Sequence, residues 1–220
     1  MNARKFCEKF TIMVEGETER QYFERLQFLI NNNESSNKKI SIQFLPHKNP
    51  IKALKSIPAI SMPAFAYVCD IEGSNPADKS NNLINIDSEF AKFKKQTKNN
   101  KLAIKYSNLS FELWIILHKQ DLSAPLNTKG EYLQFINKSF GTAFEGTKEY
   151  KSEKNFKILL SKINLQDVIN AVSRSENIMK KNEDNAKRLI HLKTLAYYED
   201  NPSLTIHELV KNMLTSCEIT

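Results

Sequence analysis

The sequence predicts an α/β protein with a mostly parallel sheet flanked by helices, followed by a mainly helical C-terminal part. Three observations carry this expectation. The short runs Phe10-Thr11-Ile12-Met13-Val14 and Phe65-Ala66-Tyr67-Val68-Cys69 are β-branched, aromatic and apolar throughout, as strands buried on both faces of a parallel sheet are. Stretches with apolar residues at helical spacing lie between the strand-like runs. Beyond about residue 120 the strand-like runs fade and helical spacing takes over.

In chain order, the first strand covers residues 10–14 and closes on Glu15. A helix follows over 18–31, with Tyr22, Phe23, Leu26, Leu29 and Ile30 at helical spacing, and the run Asn31-Asn32-Asn33-Glu34-Ser35-Ser36-Asn37 ends it. A second strand is expected over 40–45 and a short helix from Pro50, whose ring suits a first helical turn. The strand over 65–69 closes on Asp70. Residues 73–82, with Ser74, Asn75, Pro76 and Ser80, read as a polar loop above the strand ends, a kind of segment that often holds substrate. A helix over 83–96 and a fourth strand over 102–106 come next, then the apolar run 110–117 with Glu112 as its one acid. Helical spacing then covers 130–138, 155–163, 166–181 and 186–198. Thr205-Ile206-His207-Glu208 has the form of a capping box, with Leu209, Val210, Met213 and Leu214 on one face behind it. This divides the chain into an α/β core over 1–120 and a mainly helical part over 121–220.

Composition narrows the function classes. Cys7, Cys69 and Cys217 form no paired motif, which argues against a disulfide framework or a zinc site and fits a reducing cytoplasm. Residues 1–9 have no apolar signal core and no run approaches a membrane span, so a soluble, cytoplasmic protein is expected. The net charge of +7 favours polyanionic partners. Lysine runs at 92–95, 98–101 and 148–157 can track phosphates, though ordinary solvated faces are the favoured reading of them. No GxGxxG, GxxxxGK[ST], HExxH or GxSxG motif occurs, which leaves dinucleotides, a P-loop, a zincin helix and a nucleophile elbow without their usual cradles.

The chemistry concentrates at the strand ends. Glu15-Gly16-Glu17-Thr18-Glu19 follows one strand and Asp70-Ile71-Glu72-Gly73 the other. Parallel strands collect reactive groups at their carboxyl ends, so Glu15 and Asp70 are expected on one edge. Asp70 and Glu72 stand two apart and would point the same way on extended backbone, where a hard cation takes oxygen ligands from both. The plainer alternative is that Glu15, Glu17 and Glu19 favour a helix N-terminus. It accounts for Glu17 and leaves Asp70 unexplained. Glu112, inside an apolar run directly after a strand, needs a metal, a lysine or a backbone donor. His118, after the same run, reads as a packed or capping histidine ahead of a catalytic one.

The EGxxE opening at residues 15–19 and the D-x-acid at Asp70-Ile71-Glu72 resemble the signature of the Toprim fold. Ser107-Asn108, Phe111-Glu112-Leu113-Trp114 with His118, Tyr150-Lys151, and Asn201-Pro202 with Thr205, His207, Leu209 and Val210 resemble the RloB family over nearly the whole chain. The resemblance implies a Toprim-type nuclease acting on DNA or RNA, tRNA among the substrates, in antiphage defence. It implies a locus beside restriction-modification genes and an AAA-type ATPase partner, and it is compatible with a homo-oligomer. Asp70 and Glu72 would hold Mg²⁺ or Mn²⁺, with Glu15 as a further ligand or in general acid/base work, Glu19 or Glu112 completing the shell and Lys151 neutralising charge on the phosphate. Glu72 departs from the usual DxD, and its longer arm can shift the ion or the metal preference. The rival expectation is a non-catalytic effector subunit that docks on an ATPase or on nucleic acid through the helical half.

Overall fold

The computed structural model describes residues 6–45, 49–56, 64–71, 76–97 and 102–219. Its first half alternates strand and helix: β1 (Cys7–Val14), α1 (Glu17–Asn31), β2 (Lys39–Phe44), α2 (Pro50–Ser56), β3 (Phe65–Asp70), α3 (Pro76–Thr97) and β4 (Leu102–Asn108). The second half holds α4 (Glu112–Leu117), α5 (Tyr132–Phe140), α6 (Thr147–Tyr150), α7 (Glu153–Ser161) and α8 (Leu165–Asp184). A hairpin, β5 (Leu189–His191) and β6 (Ala196–Tyr198), then leads to β7 (Ser203–Leu204) and α9 (Ile206–Ser216). Among the described residues β2, β1, β3, β4 and β7 form one sheet in that order, parallel except for β7. The mixed α/β class and the helical C-terminal part are therefore as the sequence predicts. Among the described residues no helix is long and apolar enough to cross a membrane.

Strand alternation distributes the core over both faces of the sheet. Ile12, Ala66 and Val68 point to a large apolar cluster with α1, α4, α5, α7, α8 and α9, while Met13, Phe65, Tyr67, Cys69, Ile104 and Tyr106 point to a smaller one with α2 and α3. Residues on either side of position 120 share the larger cluster. At its centre α4 is apolar all round, with Leu113, Trp114, Ile115, Ile116 and Leu117 fully buried, which is how a helix surrounded by protein reads in sequence. His118 continues this packing. Its Nδ1 lies 2.9 Å from the Trp114 carbonyl and its Nε2 3.2 Å from Tyr22 Oη, and burial lowers its pKa to about 4, so the ring is neutral and structural.

Three local expectations fail for identifiable reasons. Residues 186–198 carry the β5–β6 hairpin in place of a helix, paired Leu189 to Tyr198 and His191 to Ala196. Its turn is pinned from α3: the buried Asp87 carboxylate accepts from the amides of Lys193 at 2.7 Å and Thr194 at 2.8 Å. The expected loop over 73–82 is helical from Pro76 onward, with proline at the first helical position; residues 73–75 lie outside the described set. The Thr205 capping box does not form, because Thr205 is taken by the sheet: its Oγ1 accepts from the Tyr106 amide at 3.1 Å and its own amide donates to the Tyr106 carbonyl at 2.9 Å.

Asp87→Ala strands the two turn amides and is expected to destabilise the fold by about 2 kcal/mol, measured by denaturant unfolding, with faster amide exchange at Lys193 and Thr194.

Candidate functional site

The register of the parallel strands brings the acidic segments together. Val14 pairs with Val68 and Asp70 with Ser107, so the ends of β1, β3 and β4 lie at one edge of the sheet. Glu15 is solvent-exposed there, yet its carboxylate is held on both oxygens. Tyr67 Oη donates to Oε1 at 2.8 Å, and the Asp70 amide donates to Oε2 at 3.2 Å. Burial first, and then the neighbouring Cys69 and Glu15, push the Tyr67 hydroxyl far above its ordinary pKa, so it remains a donor.

Glu17 and Glu19 part company within the first turn of α1. Glu17 faces solvent, as a carboxylate favouring a helix N-terminus does, whereas Glu19 turns inward. Its Oε2 is buried with no hydrogen-bond partner among the described residues. Gly16 makes room for it, since a Cβ at that position would stand 2.8 Å from Glu19 Oε2. Burial raises the Glu19 pKa; its own backbone amide and Lys151 lower it, and Glu112 and Glu15 add to the rise.

Asp70 is the electrostatic centre of the edge. Burial drives its pKa from 3.8 to about 7, Lys129 draws it down, and Glu19, Glu112 and Glu15 push it up. Lys129 Nζ stands 3.1 Å from Asp70 Oδ2. Glu112, buried at the start of α4, meets Lys151 Nζ at 2.6 Å, which supplies the partner that its place in an apolar run demands. Ser110 Oγ donates to Glu112 Oε2 and lies 3.4 Å from Asp70 Oδ2, between the two carboxylates.

Glu15, Glu19, Asp70, Glu112 and Lys151 thus share one neighbourhood, while Glu72 lies outside the described residues. Tyr67, Ser110 and Lys129 complete it, and no sequence motif marks their part in it. For Tyr67 the usable signal is strand alternation, which puts it on the Cys69 face of β3. Lys129 leaves no signal, because it arrives on a 3-10 turn (Lys129–Glu131) remote in sequence. Asn108 and Asn201 are held by backbone partners. Asn108 Nδ2 donates to the carbonyls of Tyr198 at 3.2 Å and Glu199 at 3.0 Å, and Asn201 exchanges two hydrogen bonds with the Leu126 backbone.

Among the described residues no three His, Cys, Asp or Glu side chains stand grouped as a ready cage for a metal ion. The carboxylates are instead turned to Tyr67, Lys129 and Lys151. The chemistry of the donors nevertheless fits a hard divalent cation: every candidate ligand is a carboxylate, and Glu19 Oε2 is an orphaned acceptor.

A family model described as RloB-like protein matches residues 10–213 of the 220. No curated protein and no solved structure matches the chain.

The Asp70 shift has a defined sign. Between about pH 4 and 7 the folded protein holds a proton on Asp70 that the unfolded chain has released, so this group's contribution to stability is full below pH 4 and is lost as the pH rises through 7. Carboxyl-carbon NMR of the metal-free protein is expected to show Asp70 titrating near 7, and Lys129→Met is expected to move that midpoint higher.

Proposed function

The chain belongs to the RloB-like protein family, and from that premise we propose that it is a divalent-metal-dependent nuclease of the Toprim type, hydrolysing phosphodiesters of DNA or RNA. The observation that carries this reading is the group of Glu15, Glu19, Asp70 and Glu112 at the carboxyl edge of three parallel strands, with Lys129 and Lys151 set against it. Clustered oxygen donors beside cations match a reaction in which a negatively charged phosphate gains further negative charge. Antiphage defence and a neighbouring AAA-type ATPase belong to the same proposal.

Glu15 and Asp70 with Glu72, their shell completed by Glu112, would hold Mg²⁺ or Mn²⁺, and that ion would supply charge neutralisation at the phosphate and ease deprotonation of an attacking water. The residues of the chain do the rest. Tyr67 and the Asp70 amide hold the Glu15 carboxylate in one orientation. Glu19, whose inward Oε2 is an unpartnered acceptor and whose pKa burial raises, is suited to accept the proton of the attacking water. Lys151 offsets charge building on the phosphate oxygens.

A second reading, an effector subunit without its own activity, has one observation in its favour. Asp70 and Glu112 already have lysine partners, an arrangement that is neutralised without a cation.

Calorimetric titration of Mg²⁺ and Mn²⁺ separates the two. Wild type is expected to bind and Asp70→Asn to lose binding, and in assays on DNA, mRNA and tRNA, Glu15→Gln and Asp70→Asn are each expected to lower cleavage about 100-fold. Cleavage unchanged in both variants overturns the site. An inert wild type that alters its ATPase partner's turnover establishes the effector reading.

A further inference from the structure

Beside the carboxylates lies a small cavity of about 40 Å³, lined by Tyr132, Thr147, Tyr150, Lys129, Lys151 and Glu112 among others. By volume it offers on the order of three water-sized positions, which suits the oxygens of a phosphate and excludes a nucleobase. Its most informative wall is Tyr150. The ring is almost fully buried, packed edge-on to Phe156 and tilted on Phe144, and yet its hydroxyl has no hydrogen-bond partner among the described residues. A buried hydroxyl left without a partner is destabilising, so one at the wall of a cavity points to a guest. Burial, with Glu112 and Glu19 adding to it, keeps this hydroxyl protonated and therefore able to donate.

The cations of the cavity are the same lysines that neutralise the carboxylates. Lys151 pairs with Glu112 and Lys129 with Asp70, and both side chains are more than a third exposed, at 36% and 40%. Their carboxylate partners are only 7% and 13% exposed, so the lysines leave only when another cation takes over the neutralisation of Glu112 and Asp70.

We propose that this cavity is a phosphate subsite, formed when Lys151 and Lys129 turn from Glu112 and Asp70 to an incoming phosphate of a nucleic-acid strand, with the Tyr150 hydroxyl as its buried donor. This rests on the nuclease reading and adds a consequence to it. A divalent cation and the lysines compete for the same carboxylates, so taking up the cation releases the lysines to the phosphate. Cation and phosphate then raise each other's affinity by one common factor, because such linkage is reciprocal.

Inorganic phosphate is the probe, titrated calorimetrically with and without Mg²⁺. Wild type is expected to bind it about tenfold more tightly with Mg²⁺, and Lys151→Gln to lose most of that dependence. Tyr150→Phe keeps the ring and removes only the hydroxyl. It is expected to weaken phosphate binding about tenfold while leaving the melting temperature unchanged or higher, a combination that a purely structural hydroxyl does not produce. The subsite is overturned if Lys151→Gln keeps the full Mg²⁺ dependence, which signifies direct cation–phosphate contact, or if Tyr150→Phe binds phosphate as wild type does. Cleavage is scored separately. Coupled phosphate binding with no cleavage of any strand overturns the nuclease reading alone, and cleavage with no phosphate binding overturns the subsite alone.

Discussion

Mutual repulsion among Glu15, Glu19, Asp70 and Glu112 is the constraint around which this edge of the molecule is built. Parallel strands that end together inevitably present their next residues to one another, and here those residues are acids. Left alone at partial burial they would not all ionise. The surroundings answer each one differently: Glu15 receives a tyrosine hydroxyl and an amide, Asp70 and Glu112 receive lysines, and Glu19 is left with an unpartnered oxygen and a raised pKa.

That answer explains why the second half of the chain belongs to the site. Lys129 and Lys151 both lie beyond residue 120, on short segments that pack through α5 and α6 against the cluster around α4. The buried α4 fixes Glu112 on one side and carries the Trp114 and His118 packing on the other. A helix without a polar face has no freedom to rotate, so the carboxylate at its start is held in place by the whole core. The same C-terminal half supplies β7, and through Thr205 it closes the sheet against β4.

Much of this architecture is legible in the order of residues alone. The five-residue apolar runs mark strands because burial on both faces removes alternation, and the carboxylates at their ends mark the edge because parallel topology puts strand ends together. Glu112 is legible as a buried charge in need of a partner, whereas only the family resemblance points to Lys151. The hairpin over residues 189–198 has no local signal, since its turn depends on Asp87 from a helix about a hundred residues earlier. Thr205 misleads for the same kind of reason: a local capping pattern loses to a strand backbone that offers two hydrogen bonds.

The sequence by itself determined the order of strands and helices as far as β4 and the sheet edge that carries Glu15 and Asp70, because these follow from local periodicity and from where strands end. Only the tertiary structure decided which charge meets which. Lys129 reaching Asp70, Tyr67 fixing Glu15, Gly16 making room for Glu19 and the Tyr150 hydroxyl at the cavity wall are all contacts whose approach is set by packing of the core. Hydrophobic patterning acts at short range along the chain and survives in the sequence. Electrostatic and hydrogen-bond partners are chosen in space, after burial has fixed distances that no spacing along the chain records.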